Sequence, residues 1–149
     1  AAGEGATLDM RIGGKMGPMS GDPLDLKVTV TKIVPNLMQE WPQGDGKPIH
    51  VSAGDAVALH TQGVDIIINN KRGQVLGREV FTKMGIDPAE KQILVVKSTQ
   101  HFYAAFEPIA AEIIYMSAPG AIAPRFAEIP YQRVDRNKFP WLDDPFQNR

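Results

Sequence analysis

The chain has 149 residues, enough for one domain with a real core, and its 43% hydrophobic and 22% charged residues mark a globular composition, not a disordered one. A net charge of −1 argues against a general nucleic-acid binder, and the absence of cysteine excludes a disulfide framework, thiolate catalysis and a zinc–thiolate site. No apolar run approaches membrane-spanning length and no basic-then-apolar leader is visible, so the expected setting is a bacterial-type cytoplasm, with neither nucleic acid nor membrane as partner.

Ala1–Ala6 is small and glycine-rich, like a linker. With Ala at position 1, the chain reads as a piece of a longer protein; a processed mature start is the alternative. Thr7–Ile12 suits a strand, and Gly14–Pro23, dense in glycine and proline, suits a loop. Leu26, Val28 and Val30 alternate with Lys27, Thr29 and Thr31, the pattern of a half-buried antiparallel strand that Pro35 is expected to end. Asn36–Pro48 reads as a second turn-rich loop. Ala56–His60 and Val64–Ile68 read as two strands, with Gln62-Gly63 supplying the hairpin turn.

Arg78–Met84 fits a short helix closed by Gly85, and Asp87-Pro88-Ala89-Glu90 offers an N-cap, a proline at the first helical position and an acid two residues on. Ile93–Val96 is apolar and β-branched, as in a strand covered on both faces. Lys97-Ser98-Thr99-Gln100-His101 breaks it, with Ser98 or Thr99 able to cap a helix whose apolar face is Phe102, Ala105, Phe106 and Ile109. Pro108 should stop or kink that helix near Glu107, and Ile113–Met116 reads as the next strand.

Two βαβ units follow in series, with Val64–Ile68, Ile93–Val96 and Ile113–Met116 as parallel strands. The expected fold class is therefore α/β: a mixed sheet with two successive βαβ units, additional antiparallel strands and an extended C-terminal tail. Residues 7–118 would form the body and 119–149 the tail. The tail carries five prolines from Pro119 to Pro145, yet Phe126, Tyr131, Phe139, Trp141 and Phe146 are too aromatic for free disorder. Its rings should pin it to a surface of this domain, of a further domain, or of another subunit in a homo-oligomer.

The histidines His50, His60 and His101 lack zinc-motif spacing, so no metal site and no cofactor is expected within this chain. The glycines near residues 3–17 do not make a dinucleotide or phosphate loop between a strand and a helix. Lys97 beside Ser98 suggests a Ser–Lys nucleophile, but neighbouring residues at a strand end point apart, and capping explains the serine without catalysis. Topology gives a better reading, because sites form outside the carboxyl ends of parallel strands. There the expected fold gathers Asn70 and Arg72 with Asn69, then Lys97 and Ser98, then Ser117, with His101 in the first helical turn. Such a rim would bind a carboxylate or phosphate; a polar sheet rim with helix caps is the alternative.

Specific residues also carry a resemblance. RIGGK at 11–15, SGDP at 20–23, GVDIII at 63–68, GIDP at 85–88, VVKSTQHFYAAFEPIA at 95–110, SAPGA at 117–121 and PYQR at 130–133 together resemble the C-terminal domain of the MlrC-type (microcystin-degradation) family of zinc metallopeptidases. Asn69-Asn70 departs from the Thr/Ser-rich segment expected there. The resemblance implies a two-domain hydrolase of peptides or amides. Its zinc would lie in a larger N-terminal domain absent here, and this domain would close or line the cleft for a small peptide-like substrate. The isolated chain would then be inactive. Lys97, Ser98, His101, Arg72 and Asn70 are the candidate substrate-binding residues, with none catalytic. The competing reading is a non-catalytic module for assembly or for binding a small anion.

Overall fold

Strands β1 (Thr7–Ile12), β2 (Leu24–Trp41), β3 (Ile49–Thr61) and β4 (Val64–Asn69) form one sheet in the order β1-β2-β3-β4. The structure, a computed structural model, describes residues 2–118 and 125–147. β2 and β3 pair antiparallel from Thr29↔His60 to Trp41↔Ile49, and β3 and β4 from Ala56↔Asn69 to Thr61↔Val64. Thr7 lies beside Thr29 and Arg11 beside Asp25, so β1 also runs opposite to β2. Gln62 and Gly63 take φ values of 47° and 79°, the two positive angles that a tight hairpin turn needs.

Pro35 does not end β2 as expected. It lies with Asn36, at φ 45°, in the register shift between Val34 and Leu37. A bulge is where a strand accommodates a residue lacking a backbone N–H. An earlier shift, the first along the strand, lies between Val30 and Lys32. Each extra residue flips which face the following side chains occupy, and the packing shows the result.

Val28 and Val30 join Leu59 in one core, packed by Leu8, Met10, Ile12, Leu26, Val57, Ile66 and Ile68. Beyond the first shift Val34, and beyond the second Leu37, belong to the other core, with Ala53, Ala56, Ala58 and Ile67. Val80, Met84 and Phe81 from the α1 region cover that second face.

α1 (Glu79–Thr82) is shorter than the expected helix, but Gly85 follows it at φ 77° with its N–H donating to the Thr82 carbonyl, as a closing glycine should. The Asp87 carboxylate accepts from the Ala89 N–H at 2.9 Å and caps the turn Pro88–Glu90. α2 (Tyr103–Phe106) passes at Pro108 into the single turn Glu107–Ile109, the stop expected there.

Among the described residues the architecture is sheet-dominated with few helices, and the two βαβ units are not formed there. Val64–Asn69 is an antiparallel edge strand, not the start of a parallel series. The segments at 93–96 and 113–116 belong to no strand among the described residues; Ile93 is 83% and Ile114 78% exposed. An apolar β-branched run has the same signature whether or not a neighbouring strand is at hand, and here none is. Nor does Ser98 cap α2: the position before that helix is Phe102, which makes no side-chain cap.

The chain divides into two compact units. The first, Ala1–Ile12 with Asp25–Ile114, contains the sheet and both cores. The second joins the loop Gly13–Leu24 to Tyr115–Arg149. Within its described part, Tyr131 and Trp141 pack edge to face with ring centroids 5.8 Å apart. Phe126, expected to be anchored, is exposed in the turn Phe126–Glu128. The expected boundary of the tail at 119 falls outside the described residues.

Leu37→Ala should lower unfolding free energy by about 2–5 kcal/mol in urea denaturation, since Leu37 is fully buried beneath α1. A second expectation concerns the hairpin. The Asp65 carboxylate bonds Lys91 Nζ and His60 Nδ1, each at 2.7 Å, and the Lys91 bond above all holds its pKa below the ordinary carboxylate range. A depressed native pKa gives stability that is full above the unfolded-state value and is lost as pH falls through the native one. Asp65→Asn should therefore cost about 0.5–1 kcal/mol at pH 7, and the gap to the wild type should narrow below about pH 4.

Candidate functional site

The polar corner expected around residues 97–101 is built from two glutamines that the sequence reading passed over. After the second register shift of β2, Gln39 shares the inward side with Leu37 and is 2% exposed. A buried amide must be hydrogen-bonded to be tolerated. Gln39 Nε2 donates to the Gln74 carbonyl at 2.9 Å, and Gln39 Oε1 accepts from the N–H groups of Leu76 at 2.7 Å and Gly77 at 3.3 Å. Gly77 suits this place because a Cβ there would collide with the Glu40 carbonyl and the Glu79 carboxylate. That carboxylate also accepts from the Glu40 N–H at 3.0 Å, so the start of α1 is tied to the end of β2.

The clamped segment 74–77 in turn positions residues 97–99. Val75 N–H donates to the Lys97 carbonyl at 3.3 Å. Gln74 Oε1 accepts from Ser98 Oγ at 3.0 Å, Thr99 Oγ1 at 3.0 Å and the Thr99 N–H at 3.1 Å. His101 packs its ring edge-on against Trp41, the last residue of β2, with centroids 4.8 Å apart. The structure thus brings Ser98, Thr99, Gln74 and Gln39 together, with His101 on Trp41 beside them. The hydroxyls of Ser98 and Thr99 are engaged with Gln74. What the corner offers to solvent is the exposed Lys97 ammonium and the exposed His101 imidazole.

The other two candidates lie differently. Asn70 binds Asp55: its side chain donates to Asp55 Oδ2 at 3.1 Å and accepts from the Asp55 N–H at 2.9 Å, while Asp55 Oδ1 takes the Asn36 N–H at 2.9 Å. Asn70 thereby fastens the end of β4 to β3 and to the bulge of β2. Arg72 is exposed in the connection from β4 to Gln74.

Among the described residues no group of three or more His, Cys, Asp or Glu side chains could hold an ion. His50 and Glu40 approach at 3.9 Å on an exposed cross-strand pair, and His60 is held by Asp65. These side chains do not fit a resident catalytic metal. Shallow grooves lie elsewhere, one lined by Asp9, Arg11, Asp25 and Lys27, another by Arg125, Phe126, Phe139 and Pro140.

An antiparallel four-stranded sheet with few helices, carrying a small polar corner and no ligand cluster among its described residues, defines the class: a sheet-dominated domain. Comparison with known proteins makes this specific. The family model described as MlrC C-terminus matches residues 1–133, and the chain belongs to that family. It is 35% identical over 117 residues to a protein of Sphingomonas sp named Microcystinase C, covering 78% of this chain and 22% of that one. A crystal structure from Mesorhizobium sp. BNC1, named "putative metallopeptidase", superposes with a TM-score of 0.64 at 26% identity, over 73% of this chain and 22% of that one. The chain therefore spans less than a quarter of the length of these relatives.

Gln39→Leu should cost about 1–3 kcal/mol in chemical denaturation, because it strands the Leu76 and Gly77 N–H groups and the Gln74 carbonyl. Ser98→Ala, which leaves Thr99 on the same acceptor, should cost no more than about 1 kcal/mol.

Proposed function

We propose that this chain is the smaller domain of a metal-dependent peptide or amide hydrolase, and that its Lys97–His101 corner lines the substrate cleft of a larger, zinc-bearing N-terminal domain. The observation that carries the reading is the match over most of this chain to Microcystinase C, of which the chain spans only 22%. Support also comes from the corner itself. Lys97 supplies a compact cation and His101 two ring nitrogens, both exposed and set on a frame of hydrogen bonds. These groups suit a carboxylate or carbonyl of a small peptide-like substrate. Their role is to bind and orient; the reaction is left to the zinc domain. Arg72, exposed two residues before Gln74, belongs to the proposal as an auxiliary cation, whereas Asn70 acts through the framework.

Groups that orient a substrate lower turnover by degrees, whereas loss of a metal ligand abolishes it. In the full-length protein, Lys97→Ala and His101→Phe should reduce kcat/KM for a peptide substrate by about 10-fold or more. Phenylalanine keeps the ring against Trp41 and removes only the nitrogens. Metal content and melting temperature should stay unchanged. Full activity in both variants would remove the corner from the site, and a full-length protein that neither binds metal nor cleaves peptides would remove the hydrolase.

A second reading, assembly, is favoured by the exposed rings Phe126, Phe139 and Phe146. It requires a concentration-dependent mass in sedimentation that falls to the monomer when these rings are replaced by serine.

A further inference from the structure

Residues 92–97 have the side-chain pattern of a strand but no strand beside them. Leu94, Val96 and Ser98 are half-buried, and the alternating Ile93, Val95, Lys97 and Thr99 are exposed, the period of two that extended chain produces. Ile93 is 83% and Val95 76% exposed. Among the described residues, the N–H groups of Ile93, Leu94, Val95 and Val96 donate to no protein acceptor, and the carbonyls of Ile93, Leu94 and Val95 accept from none. An unpaired, apolar run rich in β-branched residues is the form that adds to another sheet edge, with backbone bonds giving affinity and alternate side chains filling pockets.

On the far side of α2, Ile113–Met116 is likewise an apolar run in no strand, with Ile114 78% and Met116 77% exposed. Strand-like run, short helix and strand-like run remain in order, but the sheet this arrangement needs is not the β1–β4 sheet, in which neither run takes part.

We infer that residues 93–96 form a strand of a sheet whose neighbouring strands come from the larger part of the same polypeptide. The occupant follows from length, since most of each matched relative lies outside the region this chain covers. The inference rests on the reading above that a larger domain accompanies this one, and it names how the two join. It also explains how Lys97 reaches a cleft. The residue that ends the added strand arrives at the edge of the larger domain, with its own carbonyl already fixed by Val75.

Hydrogen–deuterium exchange on the full-length protein tests this. Amides of residues 93–96 should exchange at least about 100-fold slower than unprotected amides, matching those of the central strand β3, at every protein concentration. Exchange at the unprotected rate would overturn the inference. Protection that vanishes on dilution would overturn it too, by assigning the partner to a second copy of the chain. Val95→Pro should abolish the protection and Val95→Thr should retain it; equal protection in both would also count against the inference. Metal content and peptide hydrolysis, measured on the same preparation, report separately on the enzyme. Protected amides in an inert, metal-free protein would refute the hydrolase and leave the added strand standing.

Discussion

The structure depends on β2 serving two cores. A regular strand of eighteen residues would keep one set of alternate side chains on one face. The register shift after Val30 carries Val34, which regular alternation would leave beside Val28 and Val30, to the opposite cluster, and the shift after Val34 keeps Leu37 on that same side, followed by Gln39. β1 and β4, at opposite ends of the strand order, both feed the cluster of Val28, Val30 and Leu59. The opposite face is thereby left for Val80, Phe81 and Met84.

Covering that opposite face also puts an amide where a hydrocarbon would be expected. Gln39 is held in the interior by three hydrogen bonds to one short segment, 74–77, which carries no regular secondary structure until α1 begins. The constraint passes outward by contact, from Gln39 to Gln74, from Gln74 to Ser98 and Thr99, while His101 is seated on Trp41 from the same end of β2. The polar groups of the corner are fixed through backbone and amide bonds, so the exposed Lys97 and His101 stand on a rigid base.

On the proposed reading, a domain of this kind contributes geometry to a larger protein. Its apolar cores are satisfied internally by the four-stranded sheet and α1, while strand-like apolar chain at 93–96 lies outside both. The family to which the chain belongs and the small share it covers of its relatives make the same point from the other direction.

Local chemistry let the sequence determine much of this. The alternation through Val28 and Val30, the Gln62-Gly63 hairpin, the glycine after α1, the Asp87 cap and the stop at Pro108 each rest on a neighbour within a few residues, and each is formed as read. Tertiary structure alone decided the rest. Pro35 reads as a strand end until a partner strand accommodates it in a bulge. Gln39 falls in what reads as a turn-rich loop until β2 runs through it and segment 74–77 covers its side chain. Ser98 reads as a helix cap until Gln74, distant in sequence, takes its hydroxyl. Ile93 and Val95 read as central strand because hydrophobic periodicity records what a segment needs to bury. Which strand will lie beside it is a non-local fact that its own residues do not encode.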